Sequence, residues 1–169
     1  MENKKLLRYI TRASVIAALY VSLTLLSWVF GLSSGVIQFR ISEALCVLAF
    51  IMPEAVPGLA IGCFLSNLVT GSAFWDIIFG SLATLIGAYL GRALYRKLSF
   101  PAIVATLPTV FANTVIVPFV LIYAYGVEGS YFFFALTVFI GEFVCATLLG
   151  SFLFSRIKKS NLKIFGVKK

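Results

Sequence analysis

Residues 35–50 have the sequence GVIQFRISEALCVLAF, an apolar run that nevertheless carries two full charges, Arg40 and Glu43. A charged side chain at the centre of a bilayer costs about 2.5–3.5 kcal/mol on insertion scales, so such residues usually face a cavity or one another. Because Arg40 and Glu43 are three residues apart, they would share one face of a helix and could neutralise each other. The alternative is that both charges face a binding pocket, and the rest of the chain is needed to choose.

The composition is that of an integral membrane protein. Of the 169 residues, 61% are hydrophobic and 12% are charged, whereas soluble domains contain about 25% charged residues. A spanning helix needs about 20 apolar residues, so a chain of this length can supply roughly six. The sequence has no histidine and no Gly-x-x-x-x-Gly-Lys-Ser/Thr phosphate loop, which argues against histidine-based catalysis and ATP hydrolysis in this chain. Cys46, Cys63 and Cys145 lie in apolar segments without C-x-x-C spacing, so we interpret them as packing residues.

Turn-forming residues divide the chain into six apolar segments. GLSSG at 31–35, TGSAFWD at 70–76 and YGVEGS at 125–130 are among these breaks. We therefore predict an all-α integral membrane protein with a single six-helix domain, residues 1–169, that ends in a basic tail. The basic residues before the first segment are also typical of a signal peptide, but five later segments favour a retained helix. The predicted spans are residues 9–30, 36–52, 55–70, 76–95, 100–124 and 131–154, followed by the tail at 155–169.

The basic residues predict the orientation in the membrane. Thirteen of the fourteen fall before span one, between spans four and five, or after span six. With an even number of spans these three groups share one side, which the positive-inside rule makes cytoplasmic. Both termini are therefore predicted to be cytoplasmic, and the positive charge to contact lipid headgroups rather than nucleic acid. The exception is Arg40; the others are Lys4, Lys5, Arg8, Arg12, Arg92, Arg96, Lys97, Arg156, Lys158, Lys159, Lys163, Lys168 and Lys169.

Several polar side chains are predicted at membrane depth, most of them in the extracellular half. Structural roles stay open for some: Asp76 could cap a helix, and Asn67 and Asn113 could bond neighbouring helices. Glu142 is the hardest to explain structurally, because no basic residue lies near it in its own span. Carboxylates, a guanidinium and amides from several helices together favour a pocket for a small polar ligand. The candidate residues are Arg40, Glu43, Asn67, Asp76, Asn113 and Glu142.

Aromatic residues accompany these polar side chains. Phe39 precedes Arg40, and Trp75 precedes Asp76. Flat rings beside carboxylates suit a planar, nitrogen-rich, cationic ligand, because rings stack and carboxylates accept N–H groups. The alternative is an aromatic belt at the membrane interface.

Small residues four apart indicate close helix contacts. Ala13 and Ala17 form an A-x-x-x-A pattern on span one, and Gly58 and Gly62 form a G-x-x-x-G pattern on span three. Such spacing lets two helix backbones approach each other, within one bundle or between subunits.

Three stretches resemble one known family. IQFRISEAL at 37–45, PEAVPGLAIGCFLSNL at 53–68 and WDIIFGSLATLIGA at 75–88 are similar to the QueT family. Its members are substrate-binding S-components of energy-coupling-factor (ECF) transporters, associated with queuosine precursors. The resemblance implies six helices, cytoplasmic termini, an outward-facing pocket, and docking on a transmembrane coupling subunit with two ATPases. It also implies that Ala13 and Ala17 form the docking face, and that the substrate is a 7-deazaguanine such as 7-aminomethyl-7-deazaguanine.

Under this interpretation the chain is a cell-membrane importer subunit with no catalytic residue, no metal and no cofactor of its own, since the partner ATPases hydrolyse ATP. The substrate would be held by the six polar candidates, with Phe39 or Trp75 stacking on it, and the loop before Asp76 would close over it. Two alternatives remain open. The first is a stand-alone ion- or proton-coupled carrier with Glu142 as its coupling carboxylate; the second is an S-component for a different vitamin-like substrate. A membrane enzyme would need a nucleophile, base or metal cluster, and the sequence shows none.

Overall fold

The computed structural model describes residues 2–32 and 38–160, and these residues form helices and connecting turns without strands. Four helices are long and apolar enough to cross a membrane, and two shorter apolar helices lie between the first and the second of them. The prediction of an all-α membrane protein is confirmed, although only four of the six helices have full spanning length. Positions 36 and 37, and Lys163, Lys168 and Lys169 of the predicted tail, lie outside the described residues. The helices are α1 (Glu2–Val29), α2 (Ile41–Ile51), α3 (Ala55–Val69), α4 (Phe74–Lys97), α5 (Ala102–Tyr123) and α6 (Tyr131–Lys159).

Helix α2 differs most from its prediction. The predicted span was residues 36–52, but Arg40 has extended backbone angles, and a 3-10 helix follows over Ile41–Val47 before one α-helical turn over Leu48–Ile51. The 3-10 form rises about 2.0 Å per residue, against about 1.5 Å for an α-helix. Even with this larger rise, the eleven residues of α2 reach only about 20 Å, which is less than the roughly 30 Å hydrocarbon core of a bilayer. Since Arg40 precedes the helix, the predicted shared helical face for Arg40 and Glu43 is wrong.

Burial explains why α2 is apolar all round. Every residue from Ser42 to Phe50 is buried, which is typical of a helix at the centre of a bundle. Helix α2 packs against α1, α4 and α6, while the other helices form a ring in which α1 contacts α3, α3 contacts α4, α4 contacts α5, and α5 contacts α6. The stretch with Arg40 and Glu43 therefore enters the middle of the molecule.

Contacts at the two ends show that the described chain begins and finishes at the same end of the bundle. At this end Arg12 of α1 pairs with Glu54 at 2.9 Å, and Arg92 of α4 donates to the carbonyl of Ala49 at 2.6 Å. Rings of Phe50, Tyr95 and Phe154 pack together here and join α2, α4 and α6. We call this the basic end. The turns between α3 and α4 and between α5 and α6 meet at the opposite end.

Helices α1 and α3 approach each other through their small residues. A Cβ atom at Gly58 would lie 2.7 Å from the carbonyl oxygen of Ala13, and one at Gly62 would lie 3.0 Å from that of Ala17. Ala13 and Ala17 are 9% and 5% exposed. The two residues predicted to dock on a partner thus pack mainly inside this chain. Their remaining surface lies in a groove of about 590 Å³ along α1 and α3, which Ser14, Ala18 and Ser22 also line.

This packing predicts different outcomes for two adjacent alanines. Ala17→Leu should lower the free energy of unfolding by about 1–3 kcal/mol, because the larger side chain forces α1 away from α3. Ala18→Leu should change it by less than about 0.5 kcal/mol, because Ala18 is exposed. Thermal unfolding in one detergent compares the two variants directly. Equal loss of stability in both would contradict the close α1–α3 contact.

Candidate binding site

A polar cavity of about 320 Å³ opens at the end of the bundle opposite the basic end. Its volume is at the lower end of the range for small-molecule pockets, about 300–1,000 Å³. The walls come from α1, α3, α4, α5, the extended residues before α2, and the loops after α3 and α5. Lining residues are Thr24, Trp28, Gln38, Arg40, Asn67, Thr70, Gly71, Ser72, Asp76, Val117, Val120, Leu121, Tyr125 and Val127.

Asp76 is the centre of a polar network in this cavity. Its Oδ2 atom lies 3.6 Å from Nη2 of Arg40 and accepts a hydrogen bond of 3.0 Å from the hydroxyl of Tyr125. That hydroxyl in turn accepts the backbone N–H of Ala73 at 3.0 Å. Burial raises the pKa of Tyr125, so at neutral pH it is protonated and can donate to Asp76. Ala73 is the N-cap of α4, so the alternative that Asp76 caps the helix is wrong.

Asn67 links α3 to α4 and also lines the cavity. Its Nδ2 atom donates to the backbone carbonyl of Asp76 at 3.2 Å. A Cβ atom at Gly80 would lie 3.1 Å from Asn67 Nδ2 and 3.3 Å from Asp76 Oδ1. The absence of a side chain at Gly80 therefore leaves room for both polar groups. Asn67 thus bonds neighbouring helices and lines the cavity at the same time.

A second layer of polar residues lies below the cavity. Glu43 is 2% exposed, and its Oε1 atom accepts a hydrogen bond from the hydroxyl of Tyr20. Glu142 is 7% exposed, and the side chain of Asn113 interacts with it. Asn113 also donates to the carbonyl of Thr109 at 3.1 Å. Neither glutamate lines the cavity in this structure.

The backbone changes conformation directly after Glu142. A π-helical segment runs from Phe143 to Leu149 inside α6. Such segments are rare and are found frequently at functional sites, because they rotate the side chains on either side of them. The segment places Glu142 at a junction in α6 rather than within a uniform helix.

Three buried carboxylates each retain one oxygen without a hydrogen-bond partner in the described part of the chain. These atoms are Oε2 of Glu43, Oδ1 of Asp76 and Oε2 of Glu142. Leaving a buried acceptor unsatisfied costs about 1–3 kcal/mol, and more when the group is charged. Native proteins have few such atoms, so three of them around one site indicate that a bound molecule supplies the donors.

The aromatic candidates lie elsewhere. Trp75 is 52% exposed and stacks on Phe79 with ring centroids 5.7 Å apart, next to an apolar groove on the outer surface of α4 and α5. Phe39 is half-buried and does not line the cavity. The aromatic side chains that do line it are Trp28 and Tyr125.

Sequence reasoning missed the contribution of α1. Tyr20, Thr24 and Ser27 are buried in a helix whose other buried side chains are apolar. Tyr20 donates to Glu43, Thr24 bonds the hydroxyl of Ser42 at 2.8 Å, and Ser27 accepts the backbone N–H of Ile41 at 3.1 Å. Their spacing of four and three residues puts them on one face, and this polar stripe was the signal that could have identified them.

Within the described ranges, no three His, Cys, Asp or Glu residues converge as a metal site would require. The two layers of the candidate site offer the carboxylates of Glu43, Asp76 and Glu142, the guanidinium of Arg40, and the side-chain amides of Gln38, Asn67 and Asn113.

Comparison with known proteins adds independent information. A model of the QueT transporter family matches residues 10–159. A curated protein named Queuosine precursor transporter QueT, from Lactococcus lactis subsp. cremoris (strain MG1363), is 39% identical over 89 residues, which is 52% of this chain and 52% of that protein. The match thus spans about half the length of this relative. No solved structure matches.

Proposed function

The chain belongs to the QueT transporter family, and we propose that it is the substrate-binding subunit of an importer for a queuosine precursor. The family match confirms the resemblance seen in the sequence, and with it the prediction of a transport protein rather than an enzyme. The four long apolar helices, taken with that match, make it a multi-pass membrane protein. We extend queuosine-precursor transport from the Lactococcus lactis relative to this chain, with a 7-deazaguanine as substrate and partner subunits as the source of energy.

The observation that carries the proposal is the set of three unpartnered carboxylate oxygens at and below the cavity. 7-Aminomethyl-7-deazaguanine is planar and presents N–H donors both on its ring edge and on its aminomethyl group, which are the groups these oxygens lack. Its ring carbonyl can accept from Arg40 or Asn67, both of which line the cavity. A site that pairs buried polar groups in this way rejects analogues lacking them by about four to five powers of ten.

The distribution of charge supports an outward-facing cavity. Arg12, Arg92 and Arg156 belong to the end of the bundle opposite the cavity, together with the predicted basic groups around them. By the positive-inside rule that end is cytoplasmic. In this arrangement the short helices α2 and α3 also cross the membrane and, with the four long helices, give six crossings. Both termini are then cytoplasmic.

We place energy supply in partner subunits. The sequence has no phosphate loop, so a transmembrane coupling subunit and two ATPases would drive release of the substrate into the cell. The coupling subunit would dock in the exposed groove beside Ser14 and Ala18. Ala13 and Ala17 contribute little to this surface, because α3 covers most of both side chains. A stand-alone carrier with Glu142 as its coupling group is the second candidate, because this buried carboxylate has an unpartnered oxygen. A stand-alone carrier would take up substrate into liposomes along an ion or proton gradient without any ATPase, whereas the importer subunit would not.

Titration calorimetry of the purified chain with 7-aminomethyl-7-deazaguanine tests the binding function. We expect saturable one-to-one binding without ATP or a partner. Tyr125→Phe should weaken it by about 5–10-fold, because Asp76 loses a hydrogen bond of about 1 kcal/mol. The control is Tyr123→Phe, since Tyr123 is 81% exposed and two residues away, and it should bind like the parent. Absence of binding to the parent would reject the proposed function.

A further inference from the structure

Glu43 and Glu142 come together because α2 runs along α6. The sulfur of Cys46 lies 3.8 Å from the carbonyl oxygen of Ala146, and a Cβ atom at Gly150 would lie 3.2 Å from the carbonyl oxygen of Ala44. The two segments run in the same direction, because Gly141 meets the backbone of Gln38 before α2 and the rings of Phe50 and Phe154 lie 5.9 Å apart at the other end. Glu43 and Glu142 both lie between these two contacts. Both carboxylates are therefore held in the same buried layer between α2 and α6.

The two glutamates are held in similar ways. Glu43 has one oxygen bound by Tyr20, and Asn113 interacts with Glu142, while the Oε2 atom of each has no partner in the described part of the chain. Both side chains are more than nine-tenths buried. Neighbouring side chains therefore position each carboxylate and leave one acceptor on each unused.

The charges at this level do not balance. Arg40 forms its ion pair with Asp76, and among the described residues neither Glu43 nor Glu142 has a basic group within 4.0 Å. A buried carboxylate without a close counter-ion is stable only in its neutral, protonated form, so both glutamates are ionised together only when a cation lies between them. A cation from outside the chain can supply both the missing charge and the missing donors.

We propose that Glu43 and Glu142 form a cation subsite below the cavity, which binds the ammonium group of an amine-bearing substrate. The planar ring of that substrate stays above it, beside Arg40, Asn67 and Asp76. This inference rests on the proposed function and assigns the substrate's positive charge to two named residues. Arg40 lines the cavity and pairs with Asp76 there, so its guanidinium belongs to the ring level rather than to the cation subsite.

Two ligands with the same ring and different charge test the subsite. The probes are 7-aminomethyl-7-deazaguanine, which carries an ammonium group, and 7-cyano-7-deazaguanine, which is neutral. By calorimetry the parent chain should bind the aminomethyl compound at least about 100-fold more tightly, since the buried charges pair only with the cation. Glu142→Gln and Glu43→Gln should each reduce this preference below about 10-fold and change affinity for the cyano compound by less than about 3-fold.

Control variants separate the subsite from general effects. Glu128→Gln changes an exposed loop carboxylate and should keep the full preference, as should Glu54→Gln at the basic end. If Glu43→Gln does not fold, Glu142→Gln and Tyr20→Phe carry the test, because Tyr20→Phe removes the donor that positions Glu43 and should lower the same preference. Equal binding of both compounds by the parent overturns the subsite and leaves the proposed function standing. The subsite is also rejected if the preference survives in Glu142→Gln. Binding of neither compound rejects the function and the subsite together.

Discussion

Replacing Arg40 with methionine is expected to abolish ligand binding and to lower the free energy of unfolding by about 3–5 kcal/mol, the usual cost of breaking a buried ion pair. The side chain of Arg40 is 16% exposed and that of Asp76 is 6% exposed, so the carboxylate cannot recover its hydration when the guanidinium is removed. Glu43 and Glu142 lose the same nearby positive charge. Thermal unfolding in detergent and calorimetry with 7-aminomethyl-7-deazaguanine measure the two effects on one preparation.

The chain contains a matched control for this substitution. Arg12 pairs with Glu54 at 2.9 Å at the basic end, but the side chain of Arg12 is 42% exposed. The side chain of Glu54 is only 6% exposed, so Arg12→Met also leaves a buried carboxylate unpaired and should lower the free energy of unfolding. Because the pair lies at the basic end, far from the cavity, ligand binding should be unchanged. Loss of ligand binding in Arg12→Met as well would mean that the effect of Arg40→Met on binding reflects a general loss of stability.

A double variant separates the role of Arg40 in folding from its role in binding. Adding Asp76→Asn to Arg40→Met removes the unpaired charge, so much of the lost stability should return. Ligand binding should stay absent, because the guanidinium donor at position 40 and the negative charge at position 76 are both gone. Recovery of binding along with stability would show that Arg40 and Asp76 only support the fold.

The sequence predicted much of the site because depth in the membrane can be read from charge. Arg40, Asn67 and Asp76 fall at similar predicted depths on different helices, and the structure brings all three to one cavity. Glu43 and Glu142 lie deeper, as a second layer. Turn-forming residues placed the ends of five helices within a few residues, except where α1 and α6 continue past the apolar stretch with basic residues.

The remaining parts depend on packing that a single sequence does not encode locally. The 3-10 form of Ile41–Val47 is chosen by the space between α1, α4 and α6, since an apolar run fits either helix type. Trp75 could not share the cavity with Asp76, because adjacent residues on a helix point about 100° apart. Tyr20 was overlooked because its ring is typical of an apolar helix, and only the partner Glu43 shows that its hydroxyl matters.

Gly141 is a second position where a small change is expected to have a large effect. A Cβ atom there would overlap the backbone carbonyl oxygen of Gln38 and lie 3.0 Å from its carbonyl carbon. The extended residues before α2 therefore cross α6 where that helix has no side chain, and this crossing sets the position of Arg40. In a free helix Gly→Ala would add about 1 kcal/mol of stability, so any loss in the variant is due to this contact.

Gly141→Ala should weaken binding of 7-aminomethyl-7-deazaguanine by more than about 30-fold, because a shift of backbone by a fraction of an ångström misplaces Arg40 and Glu43 together. The loss of stability should be smaller, about 1–3 kcal/mol, as in other overpacked sites. Gly150→Ala is the matched control on the same helix, since its Cβ atom would meet Ala44 and Val47 no closer than 3.2 Å; we expect it to bind within about 3-fold of the parent, because small displacements relieve such contacts. Calorimetry measures the ligand affinity of both variants. Parent-like affinity in Gly141→Ala would mean that the crossing with α6 does not hold the binding residues in place.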